Sequence, residues 1–138
     1  MFVQATSDGV MRLPQTDASS NTPQCRCWPF IHMDTSEVRV FIVNKNSTHS
    51  CDATLTLNSM LYGNATVTRL QAPSLLSSVS DMTLNGQSYS SVTGKPIRNV
   101  TISPEPCTPL VAGATLKYTI STNNGSVALV RIPYSFGG

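Results

Sequence analysis

The sequence predicts an all-β fold, an antiparallel two-sheet β-sandwich of about eight strands with a short helical remnant at its N-terminus. Apolar and polar residues alternate in several short segments, and turn-forming residues separate those segments at close spacing. The composition agrees with this fold, because only 12% of the residues are charged, 40% are hydrophobic, and serine, threonine and proline are abundant. A chain of 138 residues suits one domain and can bury a real core.

The first residues predict the end of a helix followed by an entry into the sheet. Residues 1–6 have helical character, and Gly9 suits the left-handed position that follows a helix. Residues 10–13 are expected to enter a strand. Residues 14–23 are polar and are predicted to be a loop.

The period-two pattern begins at Cys25–His32, where Pro29 indicates an edge strand or a bulge. Glu37–Asn44 is apolar on both faces and is predicted to be a central strand. Cys51–Leu57 alternates strictly and is predicted to be a half-buried strand. Because a polar stretch, residues 44–50, separates these two strands, we expect them to form a hairpin.

The second half of the chain predicts further strands separated by clear turn signals. Asn85-Gly86 is a strong two-residue hairpin signal, and Asn123-Asn124-Gly125 indicates a turn in a last hairpin. The strands predicted in this half are residues 64–70, 82–84, 97–102, 115–120 and 127–132.

The charge pattern argues against nucleic acid as a partner. The net charge is +2, and the nine Lys and Arg residues are scattered, whereas counterion-release binding needs several cations on one face. Membrane insertion is also not expected, because no run of 18 apolar residues occurs. Residues 1–9 do not resemble a secretion signal, since they lack a basic start and a long apolar stretch. We therefore expect that Met1 is an internal residue of a longer secreted protein.

The cysteines favour disulfides in an extracellular protein. The spacing of Cys25 and Cys27 does not fit a zinc site, and His32 and His49 do not complete a ligand set, so no metal is predicted. Three pairings of the cysteines are open, and four ordinary thiols are the alternative. Cys25 and Cys27 are expected on opposite faces of their strand, and therefore to have different partners. The four are Cys25, Cys27, Cys51 and Cys107.

Four Asn-X-Ser/Thr sequons stand beside turn-like residues, where a glycan could project into water. They predict glycosylation at Asn46, Asn64, Asn99 and Asn124.

No residue pattern predicts catalysis. The seven carboxylates stand mostly in turns or at strand ends, and no two have a spacing that forces them together as glycoside hydrolysis requires. No Gly-X-Ser-X-Gly nucleophile motif occurs, and no cofactor motif is present. Among the aromatic residues, Trp28 is the best candidate for contact with a sugar ring, although core or edge packing is the commoner role.

Several segments together resemble the C-terminal β-sandwich of glycoside hydrolase family 79, the β-glucuronidase and heparanase group. The most specific is VRVFIVNK at residues 38–45, and the others are TRLQAPSL at 68–75, TLNGQ at 83–87 and VALVRIP at 127–133. The resemblance implies that residues 1–13 are a remnant of the connection from a catalytic barrel. Residues 14–138 would then be the accessory β-sandwich.

This resemblance implies a non-catalytic, secreted domain that packs on and stabilises a (β/α)8 barrel absent from this chain. The family's catalytic glutamates belong to the barrel, so no residue here inherits a catalytic role and the chain alone is expected to be inactive. The alternative is a free-standing secreted carbohydrate-binding or adhesion module, which would need an exposed coplanar aromatic pair that includes Trp28. An independent enzyme is disfavoured, because the carboxylates do not pair.

Overall fold

Two antiparallel β-sheets make up the described part of the protein in a computed structural model, which confirms the predicted all-β sandwich. The structure describes residues 10–12, 18–20, 24–32, 35–57, 62–72, 82–90, 92–93, 95–96 and 104–135. The predicted helix end at residues 1–6 and the predicted strand at 97–102 lie outside these ranges. None of the described residues forms a helix that could cross a membrane.

Twelve strands are described, where the sequence predicted about eight, and the additional ones are short. In chain order they are β1 (Val10–Arg12), β2 (Ala18–Ser20), β3 (Cys25–His32), β4 (Glu37–Asn44), β5 (Cys51–Leu57), β6 (Ala65–Gln71), β7 (Thr83–Leu84), β8 (Gln87–Ser88), β9 (Glu105–Cys107), β10 (Leu110–Ala112), β11 (Thr115–Thr122) and β12 (Ser126–Pro133).

The strands divide into a larger and a smaller sheet. The larger sheet has the order β1-β3-β4-β12-β6-β7-β8, and β9 also pairs with β6. The smaller sheet has the order β10-β11-β5-β2. As predicted, β4 is a central strand, since it pairs with β3 on one side and β12 on the other. The last described long strand, β12, lies between β4 and β6.

The core lies between the sheets and is built from the inward positions of alternating strands. On β4 these are Val38, Val40 and Ile42, and on β11 they include Tyr118 and Ile120, all almost fully buried. Alternation places every second side chain on one face, so the strict pattern of β5 buries its apolar set as predicted.

Both predicted long hairpins are wrong. The strands β4 and β5 belong to different sheets, and so do β11 and β12. The connections at residues 45–50 and 123–125 therefore cross from one sheet to the other instead of folding back within a sheet. Alternation identifies which face of a strand is buried but does not identify its neighbour, and that ambiguity is the reason for the error.

One predicted turn is confirmed in detail. β7 and β8 pair around Asn85 and Gly86, which have φ angles of 49° and 83°. Two consecutive residues with positive φ define a type I′ turn, and Asn-Gly is its preferred sequence. Residues 14–23 were predicted to be a loop, but they contain β2, whose three residues pair with β5.

Pro29 predicted an edge strand or a bulge, but β3 lies inside the larger sheet, between β1 and β4. β1 pairs with residues 30–32 of β3, and this pairing does not extend to Pro29. Proline has no N–H to donate, so it is tolerated at a position where the pairing with the neighbouring strand has ended. β1 itself lies inside residues 1–13, the predicted remnant of the barrel connection, and it is hydrogen-bonded into the sheet.

Buried Asn44 joins the two crossing connections at one end of the sandwich. Its side chain is 1% exposed, and its Nδ2 donates to the carbonyl oxygens of His49 at 3.0 Å, Asn123 at 3.1 Å and Thr122 at 3.3 Å. Its Oδ1 accepts a hydrogen bond from the backbone N–H of Asn46 at 3.0 Å. Buried carbonyl groups need such donors, so this asparagine fixes the path of both loops.

Candidate functional site

The outer faces of the two sheets differ sharply in chemistry. On β5 and β11 the outer face of the smaller sheet is polar, with Asp52, Thr54 and Thr56 on β5 and Lys117, Thr119 and Ser121 on β11, whereas β10 adds the exposed Leu110 to this face. In a two-sheet antiparallel sandwich, an outer face that meets water is expected to have this character. The outer face of the larger sheet is instead rich in aromatic and aliphatic side chains.

An aromatic row runs across three strands on that outer face. The strand register places Trp28 of β3 beside Phe41 of β4, and Phe41 beside Leu129 of β12. The rings of Trp28 and Phe41 have centroids 6.2 Å apart and are tilted by 38°. Leu129 is only 1% exposed, and Phe30, two residues after Trp28, is 8% exposed. These four residues form an apolar cluster that is separate from the core between the sheets, and we call them the aromatic row.

Two arginines border the aromatic row. Arg39 lies opposite Phe30 on one side and opposite Arg131 on the other. Arg39 is 8% exposed and forms an ion pair with Glu37 on the same face. Long cationic side chains can cover apolar surface with their stems while their heads remain polar. The outer face of β3, β4 and β12 therefore combines an aromatic centre with a basic margin.

On β6 this outer face carries two threonines and the half-buried Leu70, which lies beside Val127 of β12. Thr66 is exposed and Thr68 is half-buried on the side of β6 that continues this outer face. The aromatic row and its arginines lie on β3, β4 and β12, and Val127 and Leu70 continue the apolar character onto β6.

A polar cleft of about 400 Å³ lies where β6 approaches the end of β11. Arg69 crosses it, and its guanidinium donates to the carboxylate of Glu105 on β9 and to the carbonyl oxygen of Ser121 on β11. The backbone N–H of Arg69 donates to Oδ1 of Asn85 at 2.6 Å. These groups satisfy one another and link the two sheets, so the cleft has a structural role. Its lining residues are Arg69, Gln71, Asn85, Gly86, Glu105, Ser121 and Asn123.

The described carboxylates do not converge into a hydrolytic pair. Glu37 and Glu105 each form an ion pair with an arginine, and Asp52 accepts a hydrogen bond from the Ser121 hydroxyl. Within the described ranges, no three His, Cys, Asp or Glu side chains lie close enough together to hold a metal ion.

The predicted sugar-contact residue, Trp28, lies in the aromatic row. Its side chain is half-buried, and its tilted contact with Phe41 is not the coplanar exposed pair that a carbohydrate-binding module would present. Packing explains the position of the indole, and a contact with sugar remains a prediction.

The cysteines form one disulfide, between Cys25 on β3 and Cys51 on β5, which ties the larger sheet to the smaller one. Cys27 and Cys107 are not part of a disulfide. The prediction that Cys25 and Cys27 face opposite sides is wrong, because residues two apart on a strand share a face, and both are buried in the core. The expectation that these two cysteines have different partners is consistent with the observed bond.

Cys27 makes the stability of the fold sensitive to alkaline pH. Burial raises the pKa of its thiol from 9.0 to about 11. The unfolded chain loses this proton at a lower pH than the folded protein. The contribution of the protonated thiol to stability is therefore fully present below pH 9 and is lost as the pH rises towards 11. We expect the urea midpoint to fall across this range. The decline should be shallower in Cys27→Ala, and an equal decline in both proteins would contradict the assignment.

The glycosylation candidates lie at the ends of strands. Asn46 and Asn124 are half-buried in the two crossing connections, and Asn64 is exposed just before β6. Asn99 lies outside the described residues. The sequence did not predict the aromatic row, although one signal was present: β4 is apolar on both faces, and one of those faces must point away from the second sheet.

Comparison with known proteins supports the fold. No family model and no curated protein matches the sequence. Among solved structures, an arabinofuranosidase is 16% identical with a TM-score of 0.51, and the match covers 81% of this chain and 20% of that protein. The α-L-arabinofuranosidase from Thermotoga maritima, in complex with arabinose, is 14% identical with a TM-score of 0.51, covering 80% and 19%.

A third structure, the thermostable GH51 α-L-arabinofuranosidase from Thermotoga petrophila, is 15% identical with a TM-score of 0.50, again covering 80% of this chain and 19% of that protein. The chain thus spans about one fifth of the length of these glycoside hydrolases. At this level of identity the likeness shows a shared sandwich fold.

Proposed function

We propose that this chain is a non-catalytic β-sandwich domain of a glycoside hydrolase, and that it docks on a catalytic domain through the aromatic row. The observation that carries the proposal is the contrast between the two outer faces. On β5 and β11 the outer face of the smaller sheet is polar, whereas the outer face of the larger sheet carries Trp28 and Phe41 with a basic margin of Arg39 and Arg131. Phe30 and Leu129 are already buried, whereas Trp28 and Phe41 are half-buried and could bury more apolar surface against a second domain.

The fold comparisons support the same function. The three glycoside hydrolases contain this sandwich as about one fifth of a longer chain, so in each of them it coexists with other structure. The narrower form of the proposal follows the sequence resemblance to family 79. It assigns residues 1–13 to a connection from a (β/α)8 barrel and residues 14–138 to the accessory sandwich of a secreted retaining enzyme.

The first test is the coding sequence upstream of Met1, read in frame. We expect an open frame that encodes alternating strands and helices with two glutamates at strand ends. A stop codon directly upstream, together with a chain that folds alone, would contradict the proposal. Binding of the isolated chain to oligosaccharides would then identify the free-standing carbohydrate-binding module.

The second test measures docking in the parent enzyme. The double variant Trp28→Glu and Phe41→Glu places charges on the aromatic row, and the matched control Thr54→Glu and Thr119→Glu places them on the other outer face. Burial of one large apolar side chain contributes roughly 2 kcal/mol, so the loss of two in the first variant should weaken docking by on the order of a thousandfold. The control should leave docking unchanged.

The isolated chain distinguishes docking from internal packing. Trp28 and Phe41 also touch each other, so their loss destabilises the sandwich itself to some extent. We expect a larger loss of thermal stability in the parent enzyme than in the isolated chain carrying the same substitutions. An equal loss in both would show that the aromatic row serves only the sandwich.

A further inference from the structure

Three sequons are described, and their asparagines differ in what the side-chain amide already does. At Asn46 the Oδ1 atom accepts hydrogen bonds from the Thr48 N–H at 2.9 Å, the Thr48 hydroxyl at 3.1 Å and the His49 N–H at 3.0 Å. The hydroxyl of Thr48, which completes the sequon, is therefore used inside the loop. The Asn46 side chain therefore stabilises the connection at residues 45–50, of which it is a part.

Asn124 has a similar structural role in the neighbouring connection. Its Nδ2, the atom to which a glycan would be attached, donates to the carbonyl oxygen of Ser47 at 3.1 Å. The backbone N–H of Gly125 also donates to the carbonyl oxygen of Asn46 at 3.0 Å. A sugar on Asn124 would have to leave from the contact between the two loops.

Asn64 is placed differently. Its side chain is exposed and makes no hydrogen bond to another described residue, and Thr66, which completes the sequon, is exposed as well. The preceding backbone is fixed, because the Gly63 N–H donates to the carbonyl oxygen of Pro133 at 2.8 Å and the Tyr118 hydroxyl donates to the carbonyl oxygen of Gly63 at 2.7 Å. The acceptor amide is thus presented to solvent from a rigid support.

The position of Asn64 is compatible with the rest of the surface. It lies two residues before Thr66, the first outward-facing residue of β6, and the register of β6 with β12 places it at the end of the sandwich opposite Asn46 and Asn124. A glycan there leaves both the aromatic row and the linked loops uncovered.

We infer that Asn64 is the glycan-bearing residue among the described sequons. The donor is an oligosaccharide on a polyprenyl pyrophosphate. A bond forms between Nδ2 of Asn64 and the anomeric carbon of the first sugar, and the bond from that carbon to the pyrophosphate oxygen breaks. The polyprenyl pyrophosphate leaves with the electron pair, and the proton lost from Nδ2 passes to solvent. Asn46 and Asn124 keep their loop-forming roles.

The test uses the full chain expressed behind a secretion signal in a eukaryotic host. Peptide mass spectrometry after enzymatic deglycosylation in heavy-oxygen water marks each occupied asparagine, so occupancy at Asn99 is recorded separately. We expect Asn64 to be occupied in nearly all molecules and Asn46 and Asn124 to be occupied several-fold less. A bare Asn64, or equal occupancy at the three sites, would overturn the inference.

Two matched variants separate loss of the sequon from loss of the fold. Thr66→Ala removes the sequon and keeps Asn64, whereas Thr66→Ser keeps both. Because Thr66 is exposed, both variants should fold with unchanged circular dichroism. The glycan mass should disappear from the first variant and remain in the second. Retention of the mark on Asn64 in Thr66→Ala would also overturn the inference.

Discussion

Removal of the Cys25–Cys51 disulfide is expected to lower the free energy of unfolding by about 3 kcal/mol. The bond joins strands of different sheets and closes a loop with a sequence separation of 26, so its loss releases the unfolded chain from a substantial constraint. The measurement is urea denaturation of the double variant Cys25→Ala and Cys51→Ala, compared with the unmodified protein with and without reductant.

Cys27→Ala is the matched control for this experiment. It removes a buried sulfur from the same strand and the same face as Cys25 without breaking a cross-link. We expect a loss of about 1 kcal/mol, the transfer cost of a small buried group, with the response to reductant preserved. Identical urea midpoints for the oxidised and reduced protein would show that the bond contributes nothing.

Asn44→Asp is expected to destabilise the protein by about 3 kcal/mol or more. The substitution keeps the shape of the side chain and the acceptor for the Asn46 N–H, but it replaces a donor with a carboxylate oxygen. That oxygen would face the carbonyl groups of His49, Thr122 and Asn123 in a buried site. Thermal denaturation at neutral pH measures the loss.

Asn46→Asp provides the matched comparison two residues away. Asn46 uses its Oδ1 as an acceptor for Thr48 and His49, and a carboxylate can accept those bonds equally well. We expect a change within about 0.5 kcal/mol, as is usual for surface substitutions. Equal effects of the two variants would show that Asn44 does not organise the loops. A partial recovery of Asn44→Asp at low pH, where the carboxyl group is protonated and can donate, would support the assignment.

The sequence was enough to predict which face of a strand is buried, but it was not enough to predict which strands lie beside it in the sheet. Alternation in Cys51–Leu57 identified the buried set correctly, and the Asn85-Gly86 pair identified a true hairpin, since only that short turn has a backbone requirement visible in the sequence. The connection at residues 45–50 has no such requirement. A polar stretch of that length serves equally well as a turn within a sheet or as a crossing between sheets.

The candidate site was only partly predictable for a related reason. Trp28 was identified from its residue type, but its meaning depends on Phe41 and Leu129, which come from strands distant in the sequence and meet it through strand pairing. Likewise, the sequons identify asparagines, while hydrogen bonds at Asn46 and Asn124 distinguish them from exposed Asn64. Both distinctions arise from tertiary contacts.

The place of β12 in the larger sheet has a consequence for biosynthesis. β4 and β6 both pair with β12, which is translated after them, and they are not paired with each other. As the chain emerges from the ribosome, one edge of each of these two strands has unpaired N–H and C=O groups until Ser126–Pro133 has been synthesised. Contacts between residues so far apart in sequence form slowly, and open strand edges attract other chains in the meantime. A premature stop before Ser126 should therefore yield an aggregating product.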